Sequence, residues 1–193
     1  MVIQKSETGM TPKIVVVNGS LRTPSRTGIL LSALSSAVAT RIPGELQSIH
    51  LAHDAPAIFS GLSRETLSLG GERLIETVEA ADLLLVGTPV YRASYTGALK
   101  HLFDLVHRQA LAGKVAILVA SGGSPLHSLV IEHQLRPLLG FFNVYTAPTG
   151  LYASDADFKD GALSNAVLAS RVERAADEAV RLMHSAGSYP LLP

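Results

Sequence analysis

Continuous apolar runs of strand length alternate along the chain with segments of helical period. In the first run, Lys13–Val17, four β-branched residues follow the lysine without a polar residue between them. Such runs are typical of strands that are covered on both faces, as in a parallel sheet. Similar runs at Asp82–Thr88 and Lys114–Ala120, and weaker ones at Leu46–Leu51 and Asn143–Ala147, predict five strands in all.

Between these runs, apolar residues recur at helical spacing. The predicted helices cover residues 27–38, 72–80, 96–107, 126–140 and 162–184. About twenty residues ahead of Gly71, among which a proline occurs, are predicted as a loop. Strands that alternate with helices at this spacing predict an α/β fold, a three-layer sandwich around a parallel sheet.

Length and composition fit one globular domain. The chain has 193 residues, of which 47% are apolar, and no Pro/Ser-rich linker divides it. We expect a single domain over residues 1–193, with 1–12 and 186–193 as peripheral tails. Residues 1–12 lack a hydrophobic signal segment, and no apolar run approaches the ~18 residues of a membrane span. We therefore expect a cytoplasmic protein that does not bind membranes.

Charge and cysteine content argue against several function classes. Sixteen basic residues balance sixteen acidic ones, which disfavours nucleic-acid binding because such proteins carry a basic surface. The absence of cysteine excludes disulfides, thiol catalysis and thiolate metal sites. His50 and His53 lie close together, but at the end of a weak strand, and the acidic residues Asp155, Asp157 and Asp160 fit a solvated turn. No metal site is predicted.

The loop 18–27 follows the first predicted strand and opens a helix. It combines a glycine that permits a tight turn with hydroxyl donors and two arginines, a set suited to an anion. The free N–H groups and the dipole of the following helix favour the same ligand. An ordinary capped strand-to-helix connection is the alternative. The candidate anion-binding residues are Ser20, Arg22, Ser25 and Thr27, with Arg26 beside them.

The loop 18–27 matches neither common nucleotide fingerprint. Leu21 stands where GxGxxG requires its second glycine, and no Gly-Lys-Ser/Thr sequence closes the loop as the Walker pattern requires. A single phosphate is therefore favoured over a nucleoside triphosphate or a dinucleotide pyrophosphate.

Two further loops follow the next two central strands. In Thr88–Gly97, the backbone N–H groups from Val90 to Ala93 are suited to the polar edge of a flat heteroaromatic ring. Tyr91 or Tyr95 is suited to packing against the ring edge or to a subunit contact. The second loop, Ser121–Ser124, has two glycines and leaves its backbone open to a ligand. Ligands of parallel sheets bind beyond the carboxyl ends of the strands. The three loops are therefore predicted to form one site.

Taken together, the motifs resemble a known family. The resemblance to the NAD(P)H-dependent FMN reductases of flavodoxin-like fold lies in Gly19–Ser25, Thr88–Lys100 and Gly122–Gly123 with His127. It is closest to the reductase components of two-component alkanesulfonate and methanesulfonate monooxygenase systems. The similarity extends from about Lys13 to His184, and the combination of motifs is more specific than any one of them.

The resemblance implies a five-stranded parallel sheet of order 2-1-3-4-5, FMN as cofactor, and NADPH or NADH as electron donor. It also implies a homodimer or homotetramer, and delivery of reduced FMN to an FMNH2-dependent monooxygenase in organosulfonate sulfur assimilation. The residues that it implies for FMN binding are Ser20, Arg22, Ser25 and Thr27 at the phosphate, and Pro89, Val90, Tyr91, Arg92, Ala93, Ser121, Gly122 and Gly123 at the isoalloxazine. His127 follows the two glycines, so it is a further candidate for contact with the flavin or the nicotinamide, with a helix-capping role as the alternative.

One position departs from part of the family. Relatives among the alkanesulfonate reductases carry a tyrosine at a one-residue π-type insertion near the subunit interface, where this chain has His133. The resemblance to the methanesulfonate branch is therefore the better one.

Hydride transfer from a nicotinamide to a flavin is chemistry that the cofactor carries, so we expect no obligatory acid or base among the side chains.

Two other functions fit the same scaffold. A flavodoxin-type electron carrier is disfavoured because such carriers are commonly acidic and often cover the flavin with tryptophan, whereas this chain is neutral and has none. An azo- or quinone reductase would instead keep FMN bound as a prosthetic group.

Overall fold

The computed structural model describes residues 11–187. Its strands are β1 Lys13–Asn18, β2 Glu45–His50, β3 Leu83–Pro89, β4 Val115–Ser121, β5 Tyr145–Thr146, β6 Leu151–Ala153, β7 Phe158–Lys159 and β8 Ala162–Leu163. Its α-helices are α1 Arg26–Ala39, α2 Leu51–Ile58, α3 Leu69–Glu79, α4 Gly97–Leu105, α5 Arg136–Phe141 and α6 Ala166–Gly187. A π-helical segment, Ile131–Leu135, leads directly into α5.

The central sheet has the strand order β2-β1-β3-β4-β5, and its pairs are parallel. This confirms the predicted order 2-1-3-4-5. Strand β6 also pairs with β4, farther along that strand than β5 does. Asn18 lies opposite Gly87, and Pro89 lies opposite Ser121, so β1, β3 and β4 end at one edge of the sheet. The strand order reverses between β1 and β3, which is where ligands of such sheets bind.

Helices cover both faces of the sheet, because alternate residues of each central strand point to opposite sides. Ile14 packs with Leu34 of α1 and Val172 of α6 in one buried cluster. Val15 belongs to the other cluster, together with residues of α2, α3, α4 and α5 such as Leu102. Two apolar layers therefore enclose the sheet, as its continuous β-branched runs predict.

The predicted loop ahead of Gly71 is wrong, because helix α2, a short 3-10 turn at Arg64–Thr66 and the start of α3 occupy most of it. Leu51 and Ile58 are buried and lie seven positions apart, so they form one apolar face of α2. Pro56 lies inside this helix with its ring exposed. The proline indicated a loop in the sequence, whereas burial of the two apolar residues determines a helix.

Three elements of the C-terminal third also differ from prediction. The predicted helix 126–140 divides into a 3-10 turn, the π-helical segment and the short α5. The predicted strand 143–147 shortens to β5, and pairing with β4 resumes in β6 after Pro148, which has no N–H to donate. Helix α6 begins at Ala166 because β7 and β8 form a hairpin, whose turn has positive φ at Asp160 and Gly161.

The predicted tails lie mostly outside the described residues, since 1–10 and 188–193 are not part of them. Across residues 11–187, no helix is both long enough and apolar enough to cross a membrane.

Candidate functional site

Backbone hydrogen bonds join the three predicted loops beyond the ends of their strands. The N–H of Gly19 donates to the carbonyl of Gly87 over 2.7 Å, and the N–H of Val90 donates to that of Ser121 over 2.7 Å. A third bond, 3.0 Å long, runs from the N–H of Gly122 to the carbonyl of Ala153. The loops therefore converge at one edge of the sheet, as their positions after β1, β3 and β4 predict.

Side-chain hydroxyls fasten the first loop to the other two. Thr27 Oγ1 and Ser121 Oγ lie 2.7 Å apart, and both residues are buried. Thr96 Oγ1 donates to the carbonyl of Gly19 over 2.8 Å and accepts the N–H of Leu99 over 3.2 Å, which also caps α4. A Cβ on Gly19 would lie 2.9 Å from the Gly87 carbonyl oxygen. The glycine therefore allows the close approach of the two chains.

The first loop forms a compact turn at the N-terminus of α1. The N–H of Ser20 donates to Asn18 Oδ1 over 3.1 Å, and Ser20 Oγ accepts the N–H of Arg22 over 3.2 Å. Ser25 caps the helix by accepting the N–H of Gly28 over 3.1 Å. Helix α1 has no acidic residue in its first turn, so the positive end of its dipole is not opposed from within the helix.

The arginines of this loop differ in their contacts. Arg22 is exposed, whereas Arg26 Nη1 lies 2.5 Å from Asp155 Oδ1 in a half-exposed ion pair. Asp157 accepts hydrogen bonds from Ser154 and Asn165. Burial opposes ionisation of Asp157, but these hydrogen bonds outweigh it and lower its pKa. Asp155 and Asp157 lie in a short 3-10 turn, in which Asp155 is exposed, and both also bind neighbouring segments.

The second loop turns sharply through two left-handed residues. Arg92 and Ala93 have φ values of 51° and 66°, and Tyr91 and Ser94 exchange backbone hydrogen bonds of 2.9 and 3.2 Å across them. Each such residue costs roughly 1–2 kcal/mol when it is not glycine. The N–H groups of Val90 and Tyr91 are used within the protein. Of the four predicted backbone donors to a ring, those of Arg92 and Ala93 are left for a ligand.

The two glycines of the third loop have different surroundings. A Cβ on Gly122 would lie 2.6 Å from the hydroxyl of Tyr152, which donates to the carbonyl of Ser124. No heavy atom lies within 4 Å of the corresponding position on Gly123. Burial, together with Asp155 and Asp157, raises the pKa of Tyr152, so its hydroxyl stays protonated at neutral pH. Gly122 therefore makes room for Tyr152, and Gly123 leaves the backbone accessible.

A cavity of about 270 Å³ lies beside the second loop. Ser94 of this loop donates its hydroxyl to Gln134 Oε1 over 3.2 Å, and Gln134 is one of the residues that line the cavity. His133 belongs to the π-helical segment Ile131–Leu135, at the position where the resemblance predicts a π-type insertion. Arg136 holds this segment by donating to Thr146 Oγ1 over 2.7 Å and to the carbonyl of Ala147 over 3.0 Å. The residues that line the cavity are Ala93, Leu126, His127, Leu129, Val130, His133 and Gln134.

The sequence profile of the family described as NADPH-dependent FMN reductase matches residues 12–159. The chain belongs to this family. It is an NAD(P)H-dependent FMN reductase, which confirms the enzyme and the FMN and NAD(P)H cofactors predicted from the motifs.

Two curated relatives and two solved structures agree with this assignment. This FMN reductase is 47% identical over 166 residues to the NADH-dependent FMN reductase SfnF of Pseudomonas putida, covering 86% of this chain and 89% of that protein. It is 41% identical over 170 residues to an FMN reductase (NADPH) of Pseudomonas aeruginosa, covering 88% and 91%. The NADH:FMN oxidoreductase EmoB in its apo form superimposes with a TM-score of 0.77 at 30% identity, covering 95% and 92%. An archaeal flavodoxin, with a TM-score of 0.57 and 10% identity over 91% and 99%, shares the fold alone.

Two observations show that the residues of this reductase suit a phosphorylated flavin. The buried hydroxyls of Ser20 and Thr27 lie at the N-terminus of α1, which is favourable for a phosphate. The open side of Gly123 and the left-handed turn at Arg92 and Ala93 leave backbone groups for a flat ring. The residues of both kinds belong to loops that hydrogen bonds hold together, so one ligand can contact them all.

Sequence reasoning missed four residues that hold the loops of the reductase. Asn18, Thr96, Tyr152 and Asp155 each bond to a predicted site loop. The sequence could have indicated Asn18 and Thr96, because each stands at an end of a predicted loop. Nothing in it indicated Tyr152 and Asp155, since only the pairing of β6 with β4 brings them to the site.

His50 and His53 lie beside the first loop of the reductase. His50 Nδ1 is 3.5 Å from Asn18 Nδ2, and His53 Nε2 is 3.4 Å from Thr23 Oγ1. Within residues 11–187 there is no group of three or more potential metal ligands. The contacts to Asn18 and Thr23 place both histidines in the surroundings of the loop.

Proposed function

We propose that this reductase holds FMN across its three loops. Its phosphate would contact Ser20, Arg22, Ser25 and Thr27, and its ring would lie beside Pro89 to Ala93 and Ser121 to Gly123. The observation that carries this proposal is the first loop, where buried hydroxyls meet an α1 N-terminus without acidic residues. Such an end attracts anions through its free N–H groups and its dipole.

Bound FMN supplies the ring that accepts hydride from a reduced nicotinamide. The chain contributes position and electrostatics. The N–H groups of Arg92 and Ala93 are proposed to donate to the pyrimidine edge of the ring, where preorganised donors stabilise negative charge. His127 lines the cavity beside Ala93 and is proposed to contact the flavin or nicotinamide without transferring a proton.

We propose that a second enzyme uses the product of the reaction, reduced FMN. We propose an FMNH2-dependent monooxygenase acting on organosulfonates as this consumer, which rests on the motif resemblance to two-component systems. Relatives that are named for NADH and for NADPH are both similar to the chain, so either donor remains proposed. We also propose that the chain forms one domain and assembles as a homodimer or homotetramer.

Steady-state kinetics with FMN and with riboflavin test the phosphate loop. Riboflavin lacks the phosphate, so we expect its KM to be at least about tenfold higher than that of FMN. The Ser20→Ala variant should raise the KM for FMN by about tenfold to a hundredfold, the value of one hydrogen bond to a charged group, and leave that for riboflavin unchanged. Ser36→Ala, on the exposed side of the same helix, is the matched control.

Equal KM values for the two flavins in the unaltered protein would contradict the proposal. Loss of a catalytic acid or base lowers kcat by ~100-fold or more. A fall of this size in His127→Gln would contradict the proposed mechanism.

A dialysis experiment tests the proposed partner. With the reductase and an FMNH2-dependent alkanesulfonate monooxygenase on opposite sides of a membrane permeable to flavin, NAD(P)H and FMN should support sulfite release from an alkanesulfonate in the presence of O2. If no sulfite forms either in this arrangement or when the two enzymes are mixed in one compartment, the proposed partner is excluded.

A further inference from the structure

The last residues of β1 and β2 face each other beside the phosphate loop. Asn18 and His50 are register partners in the parallel pairing of these strands. Asn18 is buried and His50 is exposed. Neither has a role in the binding of FMN proposed above, yet both are next to the turn that contains Ser20.

The orientation of the Asn18 amide follows from its partners. Its Oδ1 accepts the N–H of Ser20 over 3.1 Å, so the oxygen faces the loop. The nitrogen Nδ2 then faces His50, with 3.5 Å to Nδ1. An amide nitrogen only donates hydrogen bonds. The Nδ1 atom of His50 must therefore accept, which puts the proton of the neutral imidazole on Nε2.

The surrounding elements leave this arrangement little freedom. A Cβ on Gly28 of α1 would lie 3.1 Å from Asn18 Nδ2, so α1 closes one side of the amide. The carboxylate of Asp54 accepts the backbone N–H of His50 over 2.7 Å and fixes the start of α2. His53, one turn farther along α2, reaches Thr23 of the loop. Helix α2 therefore forms the outer flank of the phosphate loop.

We propose that His50 is a positioning residue for the phosphate loop and acts through Asn18. Its Nδ1 holds the Asn18 amide, and the amide oxygen holds the N–H of Ser20. Without this acceptor Nδ2 of Asn18 loses its hydrogen-bond partner, and the amide is oriented less firmly toward the N–H of Ser20. The effect on FMN rests on the proposed function, whereas the chain of bonds from His50 to Ser20 belongs to the protein alone.

Flavin binding measures the effect on the loop. Fluorescence titration of the full chain should give a Kd for FMN about threefold to tenfold higher in His50→Ala, the loss of about one hydrogen bond, with the Kd for riboflavin and kcat unchanged. His50→Asn keeps an acceptor oxygen near the place of Nδ1 and should restore FMN binding. His107→Ala removes an exposed histidine at the opposite edge of the sheet and should bind FMN like the unaltered protein.

The tautomer of His50 is a readout that is independent of flavin. In ¹⁵N NMR of the unaltered chain, Nδ1 of His50 should give the resonance of an unprotonated ring nitrogen. Asn18→Asp replaces the donor by an acceptor oxygen and should move the proton to Nδ1. A neutral His50 ring with its proton on Nδ1 in the unaltered chain would overturn the proposal, whether or not any variant folds.

The outcomes separate this inference from the proposed function. Equal affinity for FMN and riboflavin in the unaltered chain would refute the phosphate loop itself. A clear preference for FMN that His50→Ala leaves intact would refute only the role of His50, as would failure of His50→Asn to restore binding.

Discussion

At the scale of single residues, Gly122 and Gly123 illustrate how neighbours in sequence have separate tasks. Gly122 adjoins the hydroxyl of Tyr152, which donates a hydrogen bond to the carbonyl of Ser124 in the third loop. Gly123 has open space at its side. One glycine is needed for packing within the protein, and the other leaves the loop surface bare.

We predict that Gly122→Ala destabilises the fold by about 2 kcal/mol, because the added methyl group overpacks against Tyr152. Gly123→Ala should change the free energy of unfolding by less than about 0.5 kcal/mol, since nothing opposes the methyl group. Urea denaturation of both variants measures the difference. Similar losses in the two variants would mean that the hydroxyl of Tyr152 does not occupy this space.

Much of the phosphate loop could be predicted at this scale. Ser20, Ser25 and Thr27 are close in sequence, and a strand-to-helix turn dictates where their hydroxyls lie. The contact from Asn18 to His50 spans 32 residues, and that from Ser124 to Tyr152 spans 28. Such contacts depend on which strands are neighbours, and hydrophobic period does not encode strand neighbours.

At the scale of elements, Arg64 ties three segments together. Its guanidinium, in the 3-10 turn after α2, donates to Glu72 and Glu79 of α3 and to the carbonyl of Leu105 at the end of α4. Burial opposes ionisation of Glu79, but hydrogen bonds from Arg64 and from the N–H of His107 outweigh it and lower its pKa. The network therefore requires the carboxylate form.

We predict that Arg64→Met lowers the free energy of unfolding by about 2 kcal/mol near pH 7, because it leaves a partly buried Glu79 without its charged partner. A carboxyl with a lowered pKa stabilises the fold above its unfolded pKa of about 4.3 and stops doing so as pH falls through its folded value. The difference between variant and unaltered protein should therefore shrink below about pH 4.

Denaturation at pH 7 and at pH 3.5 measures this difference. Lys100→Met, which breaks an exposed ion pair with Asp104 on α4, is the control and should cost less than about 0.5 kcal/mol. A loss in Arg64→Met that is the same at both pH values would show that packing, not charge, explains the role of Arg64.

The elements themselves were predictable to different degrees. The strands β1, β3 and β4 are continuous apolar runs that only a doubly covered sheet accommodates. Helix α2 was missed because it buries only Leu51 and Ile58 and contains Pro56. Strand β6 has three residues, too few for a periodic pattern to emerge.

At the scale of the whole molecule, several leucines contribute little to the two apolar layers. Leu62, Leu69 and Leu126 are 86%, 80% and 87% exposed. Single exposed apolar residues are normal on a monomer. Residues exposed to this degree are nevertheless consistent with the proposed homodimer or homotetramer.

We predict that light scattering after gel filtration gives a mass of two or four chains at micromolar concentration. Buried apolar contact between subunits would sustain such an assembly in high salt, since its strength does not depend on charge. Measurement at 0.1 and 1 M salt checks this expectation. The mass of a single chain at both salt concentrations would contradict it.

The hydrogen bonds that continue the sheet past its strands have a consequence for how such an enzyme diversifies. Because main-chain atoms of Gly19, Gly87, Val90 and Ser121 help to set the distance between loops, that distance depends little on the exposed side chains around it. Exchanges at exposed positions such as Tyr91 and Arg92 can then alter which acceptor or donor is used while the frame persists. New substrate ranges are thereby open to descendants of this chain at small cost to folding.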